Sequence, residues 1–170
     1  MHILDVAKSP FWEIPYRVAG SGGTPEAAVL PLVRGTVDVL PPGVVAVLAC
    51  SDLQGRGQAC SGLASPGLLG ELLAADLALL AAEGEIPKTD RIGVLLLGDL
   101  YADAELQARS VHGDVGRVWR IFAADFRWVI GVAGNHDVIG RPPVPGRANA
   151  HLLDGDVVTV DGLRVGGISG

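Results

Sequence analysis

The sequence predicts an α/β fold. Apolar runs of strand length alternate with segments of helical period, and three of the runs end in short loops carrying Asp, Asn or His. Alternation of this kind implies parallel pairing. Loops at the C-terminal ends of such strands are where open α/β sheets bind their ligands.

The elements read in order as follows. Residues 1–43 are rich in Pro and Gly and show weak periodicity, so they read as a lead-in to a domain spanning 44–170. Residues 29–40 could add an edge strand, with Pro31 and Pro41 limiting its pairing. Gly20-Ser21-Gly22-Gly23 has no Gly-Lys-Ser/Thr after it and reads as a turn, not a phosphate loop. Residues 44–50 form the first strand and 52–64 a long loop. Ser65 then caps a helix with Pro66 at its first position, and Gly84 ends it after Glu83. Leu68, Leu69, Leu72, Leu73, Leu77, Leu79 and Leu80 cover most of the circumference, which predicts a largely buried helix.

Residues 92–97 form the second strand. Asp114 can cap a second helix, on which Val115, Val118, Trp119, Phe122 and Phe126 recur at helical spacing. Residues 128–133 form the third strand. The apolar runs 151–153, 156–160 and 163–168 are separated by Asp154-Gly155 and Asp161-Gly162, strong hairpin signals that predict an antiparallel meander. The last strand would be unpaired on at least one side, an edge open to association, and the sequence stops almost within it. That is the expectation for a fold lacking its C-terminal part.

Composition narrows the function. With 170 residues, 49% of them hydrophobic, the chain can bury a core. A net charge of -6 without a Lys/Arg run argues against a nucleic-acid or membrane surface, and 5% aromatics against base stacking. No run reaches the roughly 18–20 apolar residues of a membrane span. The first residues lack the order of a signal peptide, so the expected location is the cytoplasm, with Cys50 and Cys60 as free thiols and Cys50 in the core.

The chemistry lies in the loops after the three strands: Asp52-Leu53-Gln54, Gly98-Asp99 and Gly134-Asn135-His136-Asp137. Carboxylate, amide oxygen and imidazole are the usual donors to divalent metals. In this order, each after a strand, the three motifs resemble those of the calcineurin-like metallophosphoesterases. The resemblance covers residues 44–170 and implies a sandwich of mixed β-sheets flanked by helices. It implies two divalent metal ions, of Mn, Fe or Zn, and hydrolysis of a phosphomono- or phosphodiester by a metal-bound hydroxide. Asp52 and Gln54 would bind the first metal, Asp99 would bridge both, and Asn135 would bind the second. His136 and Asp137 would be catalytic, His136 approaching the phosphate or leaving group and Asp137 orienting it. The partner so implied is a phosphorylated substrate, with neither nucleic acid nor membrane.

Two departures stand out. Gln54 occupies a position where the family has His, and residues 1–170 contain no Gly-His-x-His motif. These favour a rival reading, an impaired or truncated member of the fold acting as a binding or regulatory module. A metal-free nucleotide-binding domain is disfavoured, since no Gly-x-Gly-x-x-Gly follows a strand. Asp52, Asp99 and Asn135 could each be an ordinary turn or helix cap; it is their joint occurrence with His136-Asp137 that points to a site. Asp103 and Glu105 read as a solvated helix start, His112 as a loop residue, His151 as a strand opening and His2 as disordered. Arg141 could meet a substrate phosphate from its loop.

Overall fold

The computed structural model describes residues 1–57, 67–108 and 111–170. The first forty residues are β-structure, not a lead-in. Strand β1 (Ile3–Val6) pairs antiparallel with β4 (Gly35–Val37), and between them β2 (Trp12–Ala19) pairs antiparallel with β3 (Pro25–Leu32), from Trp12 opposite Leu32 to Ala19 opposite Pro25. Prolines hid this hairpin from the sequence. Yet Pro15, Pro25 and Pro31 share one alternation of the ladder with Arg17, whose N–H points outward to the carbonyl of Arg56. None of the three is required to donate across the pair. Gly20–Gly23 makes the turn as expected, with positive φ at Gly22 and Gly23. Ile14, Ala19 and Leu32 join the same core as the helices, so the segment belongs to the fold it precedes. His2 is also placed, its Nδ1 2.8 Å from Asp38.

The body of the molecule is a mixed α/β arrangement. In chain order it contains β5 (Ala46–Cys50), α1 (Leu69–Glu83), β6 (Ile92–Leu96), β7 (Gly113–Asp114), α2 (Gly116–Asp125), β8 (Trp128–Gly131), β9 (Asp137–Val138), β10 (Ala150–Leu152), β11 (Asp156–Val160) and β12 (Leu163–Gly167). The central sheet runs β10-β8-β6-β5, every pair parallel. Its side chains alternate between two faces, as the pleat requires. Ala46, Leu48, Val94, Leu96 and Val129 meet α1 and α2 in the main core, while Val47, Leu95, Trp128 and Ile130 meet the β11–β12 hairpin in a smaller one.

Helix α1 begins at Leu69, later than the expected cap; Ser65 and Pro66 lie outside the described residues. Glu71 supplies the start instead, accepting a hydrogen bond from the N–H of Leu68 (3.4 Å) and pairing with Arg117 of α2 (3.0 Å). Gly84 ends the helix at φ 82°, in the left-handed region that glycine occupies without steric cost. One stripe of α1 is fully buried, and Leu79, expected among the covered leucines of a largely buried helix, is 52% exposed. Helix α2 buries all five predicted apolar residues, and Asp114 accepts the N–H of Gly116 at 2.7 Å.

The C-terminal meander needs correction. The first of its three runs is β10, which joins the central sheet parallel to β8, with His151 opposite Ile130. Only β11 and β12 form a hairpin, turning at Asp161-Gly162 with φ 46° and 79°. Asp161 also receives both Arg127 Nε (2.6 Å) and Trp128 Nε1 (3.1 Å), which fixes the hairpin to the sheet. Among the described residues β12 pairs with β11 alone. Among the described residues no helix is long and apolar enough to cross a membrane.

Candidate functional site

The loops after β5, β6 and β8 meet at one end of the central sheet. Two of their acidic residues, Asp52 and Asp99, adopt left-handed backbone, with φ 55° and 56°. Non-glycine residues visit this region infrequently, Asp more readily than most, and here it turns the chain sharply at a strand end. The loops are joined by backbone: the N–H of Asp52 donates to the carbonyl of Gly98 at 3.2 Å.

Gly134 has no room for a side chain. A Cβ there would collide with the backbone nitrogen and the carboxylate of Asp99. This close approach encloses Asp99 Oδ1, which is buried and is the single such side-chain atom without a hydrogen-bond partner among the described residues. Buried carboxylate oxygens are costly to leave unpaired, so an orphan one calls for an explanation such as an ion.

Asp137 has a different role from the one the resemblance implies. Its Oδ1 accepts the N–H groups of Leu100 (2.8 Å) and Tyr101 (3.0 Å), and its Oδ2 accepts that of Gly134 (3.0 Å). The carboxylate thus bolts the β6 loop to the β8 loop. Its oxygens are spent on backbone donors, and it does not orient His136. Burial pushes its carboxyl above the ordinary value, the three backbone bonds oppose that, and Asp99 adds a further upward push.

His136 is oriented by a carbonyl. Its Nδ1 lies 3.2 Å from the carbonyl oxygen of Val111 and its Nε2 3.3 Å from Asn135 Nδ2. A carbonyl only accepts, so Nδ1 is the donor to it, and in the singly protonated ring that arrangement leaves Nε2 as the acceptor. Nε2 therefore accepts from the amide nitrogen of Asn135. His112, read from sequence as a loop residue, stands edge-on to this ring with centroids 5.5 Å apart. Its place comes from the chain beyond it: Gly113-Asp114 form β7 and pair with β9, which begins at Asp137.

The other candidates separate from this cluster. Gln54 lines a cleft of about 210 Å³ with Tyr101, Asp103 and Leu106, to which Asp52, Asp99 and Asn135 contribute nothing. Asp103 and Glu105 lie in a bend, not a helix, where Asp103 Oδ2 accepts the N–H of Gln107 (3.0 Å). Arg141 is held by Asp154 (3.4 Å) and Asp156 (3.5 Å). Cys50 is a free thiol packed against the main core, and burial pushes it up to about 12. Cys60 falls outside the described residues.

The donors at the strand ends are all oxygen, from two carboxylates and one amide. That set suits one hard divalent cation such as Mn²⁺ or Mg²⁺. Among the described residues no three His, Cys, Asp or Glu side chains group closely enough to hold a metal, so these oxygens stand without a further carboxylate or imidazole grouped with them. Compared with protein-family models, curated proteins and solved structures, the chain matches none.

Proposed function

We propose that this chain is built to hydrolyse a phosphomonoester or phosphodiester with a divalent cation held by Asp52, Asp99 and Asn135. This is the activity implied by the resemblance to the calcineurin-like metallophosphoesterases, and with it goes their sandwich of mixed sheets. One observation carries the reading: the enclosed, unpartnered Oδ1 of Asp99 where three strand-end loops meet. A cation bound there would neutralise phosphate charge and make a water a better nucleophile near neutral pH. Asp99 supplies the inner carboxylate. Asp52 and Asn135, both exposed, face the solvent from which a substrate arrives. Asp137 keeps the two inner loops at fixed separation, so Asp99 need not be repositioned when the cation binds.

A second reading, a cation- or phosphate-binding module without turnover, is favoured by Gln54 lining a separate cleft. The two divide on experiment. Mn²⁺ binding to the 170-residue chain is followed by electron paramagnetic resonance, and turnover with p-nitrophenyl phosphate and its bis ester. The hydrolase reading expects binding and turnover in the wild type, both lost in Asp99→Asn with unchanged circular dichroism. Binding without turnover establishes the module instead. Absence of Mn²⁺ binding sinks the hydrolase reading and the cation-binding module alike.

A further inference from the structure

We propose that His136 is a positioning residue that fixes which way the Asn135 amide faces, and through it the oxygen offered to the cation. The inference rests on the cation reading above. An Asn side chain presents an oxygen at one corner and an NH₂ at the other, and on an exposed loop nothing intrinsic chooses between its two orientations. Here the choice is made by a relay. The carbonyl of Val111 accepts from Nδ1 of His136 (3.2 Å), which leaves Nε2 as an acceptor. Nε2 lies 3.3 Å from Asn135 Nδ2 and can only receive a donor there. The amide nitrogen is drawn to the ring, so Oδ1 occupies the other corner, available to a cation.

The ring itself is held. His112 abuts it edge-to-face at 88°, and the carbonyl of His136 accepts the N–H of Gly113 at 3.1 Å. Val111, His112 and Gly113 therefore grip His136 at its ring nitrogen, ring face and backbone. These three residues precede α2 and are not among the proposed cation ligands, yet they would set the geometry of one. The arrangement is a different use of the imidazole from protonating a leaving group, for which Nε2 would need a proton that this tautomer lacks.

The test exploits the reach of two amide side chains. Gln at position 136 brings an acceptor oxygen about as far out as Nε2, whereas Asn reaches only about as far as Nδ1. Mn²⁺ affinity of the full chain is measured by electron paramagnetic resonance for wild type, His136→Ala, His136→Asn and His136→Gln, with circular dichroism confirming the fold of each. Loss of an outer partner of a ligand typically costs 10- to 100-fold in metal affinity. The expected result is a loss of about tenfold or more in His136→Ala and His136→Asn, with His136→Gln within about threefold of wild type. Nitrogen-15 spectra of the metal-free wild type should show a protonated Nδ1 and an unprotonated Nε2 at pH 8.

Equal affinity in His136→Ala and wild type would overturn the inference and leave the cation site standing. So would a His136→Gln no better than His136→Ala, or a ring protonated at Nε2. A wild type that binds no Mn²⁺ would instead remove the cation reading, and the inference with it.

Discussion

The loops after β6 and β5 both carry a left-handed Asp, three residues beyond the strand in the first and two in the second, yet they are held in opposite ways. Asp99 is clamped: Gly134 presses on it, and the next two N–H groups are taken by Asp137. Asp52 is exposed and joined to its neighbour by the 3.2 Å bond from its N–H to Gly98. One half of the site is therefore preformed and the other is adjustable. An interlocked carboxylate loses little entropy when a cation arrives, while an exposed one can adapt its position to cation and substrate together.

Asp137→Ala should break the contrast most severely. It strips the acceptor from three backbone N–H groups, each worth about 1–3 kcal/mol when left unsatisfied. A loss of about 3 kcal/mol or more in urea unfolding is expected, with Mn²⁺ affinity falling as well. A loss below about 1 kcal/mol would show that the two loops hold together without the carboxylate.

Gly134→Ala comes next. Its methyl group must displace Asp99 or the loop bearing it, and overpacking of this kind costs about 1–3 kcal/mol. Because the displaced group is the inner carboxylate, Mn²⁺ binding should suffer more than stability does. A variant with normal stability and normal affinity would mean that the close approach is incidental.

Asp52→Asn should do the reverse. Asn adopts left-handed backbone as readily as Asp, so stability is expected to stay within about 0.5 kcal/mol, as for surface substitutions generally. Mn²⁺ affinity should fall measurably. A destabilisation matching that of Asp137→Ala would erase the distinction between the two loops.

The smallest effect concerns Cys50, which ends β5 just before the adjustable loop. Burial raises its thiol from 9.0 to about 12, leaving about a thousandfold less thiolate near neutral pH. In a Cys60→Ser chain, Cys50 should react with an aromatic disulfide reagent far more slowly than a free thiol, and faster as pH rises toward 12. Rapid labelling at pH 7 would show that the strand end opens along with the loop.

Three strands of the central sheet, β5, β6 and β8, were legible because they are continuous apolar runs, with β6 and β8 buried on both faces as parallel strands are. Helix α2 was legible for a related reason: Val115, Val118, Trp119, Phe122 and Phe126 make one stripe. The N-terminal hairpins were not, because most of their side chains are exposed or half-exposed and prolines interrupt the alternation. Run 151–153 misled because Asp-Gly predicts a turn without saying which strand lies next to it; the neighbour of β10 is β8. At the site, the clustering of Asp52, Asp99 and Asn135 in strand-end loops followed from topology. The partners of Asp137 and His136 did not, since both use main-chain groups of Leu100, Tyr101, Gly134 and Val111. Backbone partners leave no residue type to read.

Strand β12 leads to a practical matter. Beyond it, Ser169 Oγ accepts the N–H of Ala133 at 3.3 Å, and the N–H of Gly170 donates to the carbonyl of the same residue at 3.0 Å. A Cβ built on Gly170 would stand 3.8 Å from the backbone nitrogen of Asn135. Whatever is fused to Gly170 thus starts beside the candidate cation ligands. A polyhistidine affinity tag at that end would deliver imidazoles to any metal titrated in, and could counterfeit both tight binding and turnover. Recombinant protein for these measurements should carry its tag at Met1, or none.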